Sequence, residues 1–276
     1  MMQTIPTRSS ALTLEEVISK LTNHRAVEGI VVFGSASAER LTSASDYDLV
    51  IVLADESVPI GFGTTYVSDR LTDLMFFTVA EIEQVMSLNE PVDADERLGQ
   101  LVRWLKEGQV VLDRSGQLGR AQRKVQAGQW LMPASMSKVY QIWYKINFDL
   151  RHAKRMVASN DLAYQQSLKM RLLFNIFDLF LGYFLMRGMI WEGEKTAIRY
   201  LQANDPEYLS LLEQCLAETN LVRKVEMYEQ LAKLATEPAG GLWVERDTAV
   251  QLRPDVKWSL GLIEECLRIW QHLLSS

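Results

Sequence analysis

The sequence predicts an α+β protein in two parts: a mixed sheet covered by helices over residues 1–116, then an all-α helical bundle over residues 117–276. Three observations carry this. Short β-branched and aromatic runs alternate with helical stretches up to about residue 115. The turn-forming Asp113-Arg114-Ser115-Gly116 follows, and beyond it strand signals nearly vanish. The chain has 276 residues, 48% of them hydrophobic, which is enough to fill two cores.

Taken in order, Thr13-Leu14-Glu15-Glu16 reads as a capping box opening a helix to about Leu21 or His24, since the Thr oxygen and the Glu carboxylate can satisfy each other's orphan amides. Gly29 to Gly34 is a buried strand, apolar between two glycines. Further strands are predicted at Tyr47–Leu53, Leu71–Thr78 and Gln109–Leu112, with helices at Val79–Met86 and Asp95–Lys106 between them. The second half reads as helices at Gln117–Gly128, Ser135–Val157, Leu162–Met189, Glu194–Gln202, Pro206–Leu216, Arg223–Ala235 and Val256–Leu274. Six of the seven tryptophans lie in that half, where wide aromatic side chains build a deep core more often than they line a groove.

Charge and cysteine usage narrow the functional classes. Residues 1–118 carry 9 Lys+Arg against 18 Asp+Glu, and the remainder 20 against 17. Neither half has the strongly basic balance of a nucleic-acid binder, so small or cationic partners fit better. Cys215 and Cys266 have no partners at metal-ligand spacing and read as buried thiols. The start lacks the apolar core of a leader peptide. The most apolar run, Leu172 to Met186, is interrupted by Asn175 and Asp178 and is too short to span a bilayer. A cytoplasmic protein with no membrane partner is the expectation.

The informative segment runs from Val31 to Val52. A strand ends in Gly34-Ser35, and after a loop or short helix the next strand opens with Asp46-Tyr47-Asp48. Residues two apart on a strand share a face, so both carboxylates project to one side and repel unless a cation lies between them. Hard divalent ions such as Mg²⁺ are the usual solution. A third carboxylate, Asp73, interrupts the otherwise apolar Leu71–Thr78 strand, and it lies beside the pair if that strand neighbours the second. Each feature alone is ordinary; in this order and on these elements they point to a metal site.

This pattern resembles the DNA polymerase β-like nucleotidyltransferase superfamily, whose signature is an apolar strand, Gly-Ser, about ten residues, then Asp-x-Asp, with a third Asp on a later strand. The resemblance covers about residues 10 to 115. It departs where many members carry a basic residue and a Gly after the Gly-Ser, positions held here by Ala36 and Glu39. The resemblance implies that Asp46, Asp48 and Asp73 ligate two Mg²⁺ ions and that Asp73 accepts the proton of the attacking hydroxyl. It further implies that Gly34 and Ser35 hold the phosphates of ATP or another nucleoside triphosphate.

The helical half resembles the substrate domains of kanamycin-type and lincosamide nucleotidyltransferases. Lys195 stands in the first turn of a helix, where a cation is mildly unfavourable, and this suggests an anionic partner such as the triphosphate. Lys145, Asp149 and His152 share one helix face, and Arg171, Asn175 and Asp178 share another. If the faces meet, they form either an ion-pair network, the favoured reading, or an acceptor pocket in which Asp149 or Asp178 reads amino or hydroxyl groups.

The expected function is Mg²⁺-dependent transfer of a nucleoside monophosphate, AMP from ATP, to a hydroxyl of a small molecule, with an aminoglycoside or lincosamide antibiotic as the most concrete acceptor. The rivals are a protein- or tRNA-modifying transferase of toxin–antitoxin type and a non-catalytic nucleotide-binding module. The presence of all three carboxylates argues against the module. Some relatives build the pocket across a dimer, so the resemblance also allows a homodimer.

Overall fold

Strands β1 (Val27–Phe33) and β2 (Tyr47–Leu53) are buried through their centres. The computed structural model of the protein describes residues 12–34, 42, 45–54, 59–253, 256 and 258–275. It sets β1 and β2 in the middle of a five-stranded sheet of order β3-β4-β2-β1-β6. Here β3 is Phe62–Val67, β4 is Arg70–Thr78 and β6 is Gln109–Asp113. β2 and β4 run parallel, whereas β1–β2, β3–β4 and β1–β6 are antiparallel, so the sheet is mixed. Covered on both faces, the central residues Ile30–Val32 and Leu49–Val52 have no position at which a polar side chain is free, which is why these stretches read as continuous apolar runs.

Helix α1 (Leu14–Asn23) begins with the capping box read from the sequence: Thr13 N donates to Glu16 Oε2 (2.8 Å) and Glu16 N to Thr13 Oγ1 (3.2 Å). Its Ile18 and Leu21 cover Val27, Ile30 and Ile51 on one face of the sheet. The opposite face presents Val31, Val50, Val52 and Phe77 to helices α2 (Val79–Ser87), α3 (Arg97–Glu107) and α4 (Gln117–Gln126).

The chain divides into two compact units, residues 1–132 and 133–276. The first runs sixteen residues past the Gly116 turn because α4 buries Leu118, Ala121 and Val125 in the same core as the sheet. Lys124 Nζ also donates to the carbonyls of Met86 (2.5 Å) and Leu88 (2.6 Å) at the end of α2. A short parallel pair, β5 (Val92–Asp93) with β7 (Leu131–Met132), closes the unit.

The edge strand β3 is absent from the sequence reading. It joins β4 through Ser68 and Asp69, both at left-handed φ (51° and 59°). Tight hairpins of this kind are usually signalled by Asn-Gly or Asp-Gly, and neither occurs here.

The second unit is helical: α5 (Met136–Val157), α6 (Leu162–Leu185), α7 (Glu194–Asn204), α8 (Pro206–Ala217), α9 (Leu221–Thr236) and α10 (Leu260–Ser275), with a 3₁₀ turn at Glu237–Ala239. Its core includes Ile146, Leu150, Leu172, Leu179, Leu212 and Tyr228. Helix α6 stops at Leu185 rather than Met189, because Gly188 adopts φ 65° and Met189 N turns back to Phe184 O (3.0 Å). Of the two cysteines, Cys215 is buried, as expected, and its thiol is pushed up to about 11 by burial; Cys266 is only half-buried. Both are free thiols. No described helix is long and apolar enough to cross a membrane.

Candidate active site

The parallel register of β2 and β4 pairs Asp48 directly with Asp73. Paired residues on adjacent strands project to the same face, and adjacent strands lie about 4.8 Å apart, so two carboxylates stand side by side at the mouth of the sheet. Asp46 sits two positions before Asp48, half-buried on the approach to β2. Among the described residues, no group of three or more acids, histidines or cysteines forms a metal-type cluster. The fold therefore brings together Asp48 and Asp73, with Asp46 at the entry to the same strand.

Gly34 follows Phe33, the last residue of β1 and the partner of Asp48, and has φ 71°. A Cβ there would lie 2.5 Å from Asp48 Oδ2, a distance real side chains do not reach. Only glycine lets the backbone turn away in this conformation against the carboxylate. Ser35, Ala36 and Glu39 lie outside the described residues.

The approach to Asp46 is braced by Arg70, which the sequence did not single out. Its guanidinium donates to the Thr42 carbonyl (2.7 Å) and to the Ser45 carbonyl, and lies 5.4 Å from the Tyr47 ring centre. The first residue of β4 thereby fixes the segment that delivers Asp46 and Asp48.

Asp48 and Asp73 line one end of a cleft of about 610 Å³. Met75, Phe77 and Phe62 form its apolar side, with Phe33 and Trp104 stacked at 5.0 Å between ring centres. Arg97 and Gln100 of α3 supply the remaining polar groups. Neither was predicted. Like Lys195, Arg97 is a cation in the first turn of a helix, and it stays in that turn whether α3 begins at Arg97 or at Asp95.

The other predicted residues lie in the second unit. Lys195 is exposed in the first turn of α7. Asp149 is buried on α5 and accepts from Lys145 (2.7 Å) and from Arg171 of α6 (3.0 Å); Asp178 of α6 accepts from Lys145 (2.6 Å). With its amide in the orientation its neighbours require, Asn175 adds a bond to Asp149 Oδ2 (3.2 Å). The two helix faces meet as an ion-pair network. Burial alone would lower the Lys145 pKa, but hydrogen bonds to Asp149 and Asp178 outweigh it and hold the ammonium above its ordinary value.

Residues 15–115 match the polymerase beta, nucleotidyltransferase family. This domain is a member of the DNA polymerase β-like nucleotidyltransferase superfamily, and it makes the chain a transferase of the nucleotidyl class. A nucleotidyltransferase-like protein of known structure from Exiguobacterium sibiricum is 16% identical, with 82% of this chain and 76% of that one covered and a TM-score of 0.41. No curated protein matches the chain.

The paired carboxylates suit the divalent metal that the superfamily uses. Two hard anionic oxygen donors on neighbouring strands are what Mg²⁺ takes when it is also bound to phosphate.

Proposed function

We propose that the protein transfers AMP from ATP to a hydroxyl of a small molecule and releases pyrophosphate. The observation that carries this is the Asp48–Asp73 pairing across parallel strands, with Gly34 pressed against Asp48. Asp46, Asp48 and Asp73 would hold Mg²⁺. When bound, the metal neutralises charge on the triphosphate and lowers the pKa of the attacking hydroxyl. The left-handed turn at Gly34 carries the backbone close to the carboxylates, where its amides can donate to phosphate oxygens, and Ser35 would add a hydroxyl donor.

The acceptor oxygen forms a bond to the α-phosphorus as the bond from that phosphorus to the bridging oxygen of the β-phosphate breaks. Pyrophosphate leaves with that electron pair, and the hydroxyl proton passes to Asp73. Aminoglycoside and lincosamide antibiotics are the acceptors to test first, on the likeness of the helical half to enzymes that modify them.

The test is incubation with ATP, Mg²⁺ and an antibiotic panel, read by mass spectrometry for AMP adducts and by pyrophosphate release. The reading expects a Mg²⁺-dependent adduct that Asp48→Asn eliminates. Pyrophosphate release that is absent with every acceptor, or unchanged in Asp48→Asn, overturns it.

A further inference from the structure

Asp73, Met75 and Phe77 alternate along β4 and so share one face, and Phe62 pairs with Met75 from the edge strand. The cleft thus runs along β4 from a carboxylate end, over an apolar middle, to the Phe77 ring. Four residues at about 3.3 Å each make this path about 13 Å long. The guanidinium of Arg97 lies over the Phe77 ring, 4.2 Å from its centre, and closes the far end.

That guanidinium is fixed on three sides. Nε donates to Glu81 Oε1 (2.5 Å), while Nη2 donates to the Phe76 carbonyl (2.6 Å) and to Glu81 Oε2 (3.3 Å). Glu81 is itself held as the capping-box acid of α2, where its Oε2 accepts from Thr78 N (2.9 Å). Nη1 makes no hydrogen bond among the described residues. Gly61, also in the cleft wall, leaves it uncovered: a Cβ there would come to 3.8 Å from Nη1. A pre-fixed guanidinium with one amino group to spare is a good donor to a carboxylate or phosphate, because little freedom is lost on binding.

We infer that the acceptor is an elongated molecule with its hydroxyl at the Asp73 end, an apolar middle over Met75 and Phe62, and an anionic group bound by Arg97. The inference rests on the transferase reading for the role of Asp73. The charges at the two ends orient such a molecule, since Asp48 and Asp73 repel its anion and Arg97 attracts it. This selects against a polycationic acceptor at Arg97 and so against aminoglycosides, and lincosamides have no anionic group to gain there, so the ω-hydroxy anions below join the antibiotic panel as acceptors in the transfer assay.

The test is binding, independent of turnover. Calorimetry on the full chain with Mg²⁺ uses ω-hydroxydecanoate and ω-hydroxydecyl phosphate as anionic probes and methyl ω-hydroxydecanoate as the neutral control. At least one anion should bind about tenfold more tightly than the ester, the scale of one charge-assisted hydrogen bond. Preference for the carboxylate alone or the phosphate alone identifies which anion the site takes.

Arg97→Gln should remove the preference and Arg97→Lys should keep part of it. Gly61→Val leaves every Arg97 contact in place but crowds Nη1, and it should weaken the anion in a protein whose fold is undisturbed. Equal binding of acid and ester, no binding of either, or a preference that survives in both Arg97→Gln and Gly61→Val overturns the inference. So does a loss of Mg²⁺–ATP affinity in Arg97→Gln with the anion preference intact, which would assign Arg97 to the nucleotide. Absence of pyrophosphate release would instead strike the transferase reading and leave these affinities interpretable.

Discussion

Each unit holds a set of carboxylates on facing elements, and the two sets have been treated in opposite ways. In the helical unit, Lys145 bridges Asp149 and Asp178, and Arg171 takes the other oxygen of Asp149. In the sheet unit, Asp48 and Asp73 are neighbours by register, and among the described residues no Lys or Arg pairs with Asp73. A carboxylate set already neutralised by its own chain serves packing. One that places like charges side by side is costly unless a ligand supplies the compensating charge.

The sharpest way to break this contrast is to remove one acid from each set. Asp48→Asn or Asp73→Asn should lower transfer by about 1,000-fold or more, since each removes a donor to the metal. Thermal unfolding of Asp73→Asn should be unchanged or shifted upward, because a repulsion is lost. Chelation of divalent ions should mimic the loss of activity in the unaltered protein. A large fall in stability with activity retained would show the pair to be structural.

Gly34→Ala comes next. It forces a side chain into left-handed φ and against the Asp48 carboxylate, so it should lower transfer by tens of fold and destabilise by about 1–2 kcal/mol, read by pyrophosphate release and by denaturant titration. Asp149→Ala should do the reverse, costing about 1–3 kcal/mol of stability while leaving Mg²⁺–ATP affinity unchanged; the figure is moderate because Lys145 keeps Asp178 and Arg171, which loses its carboxylate, is about half exposed.

The smallest effect concerns His152, beside the same network. Burial, then Arg155 and Arg171, hold its pKa below the ordinary value, against an opposing pull from Asp149. The unfolded chain binds the proton more readily, so stability should fall as the pH drops below about 6.5. In His152→Gln that slope in the unfolding midpoint should flatten.

What the sequence revealed divides along the range of the interactions involved. The capping box at Thr13 and the apolar run Tyr47–Leu53 are local, and their elements were legible. The pairing of Asp48 with Asp73 was legible only conditionally, since it requires β2 and β4 to be neighbours, and adjacency is a tertiary fact. Strand β3 was missed because its turn uses Ser68 and Asp69 in a conformation that glycine usually marks. The periodicity of α4 says nothing of which core Leu118, Ala121 and Val125 enter, so the sequence alone places this helix with the bundle. The Lys145 and Arg171 faces were found by spacing, but only packing of α5 on α6 shows that they meet. Arg97 and Arg70 are illegible for a related reason, since long side chains act far from their own backbone.

Glu81 caps α2 and, with the same carboxylate, clamps the Arg97 guanidinium. Any mutational route that exchanges Arg97 for a residue suited to a different substrate strands that acid at the start of a helix, with only Thr78 to satisfy it. Changing what the cleft selects would thus tax how well the domain folds, and such drift would need a second, compensating substitution at position 81.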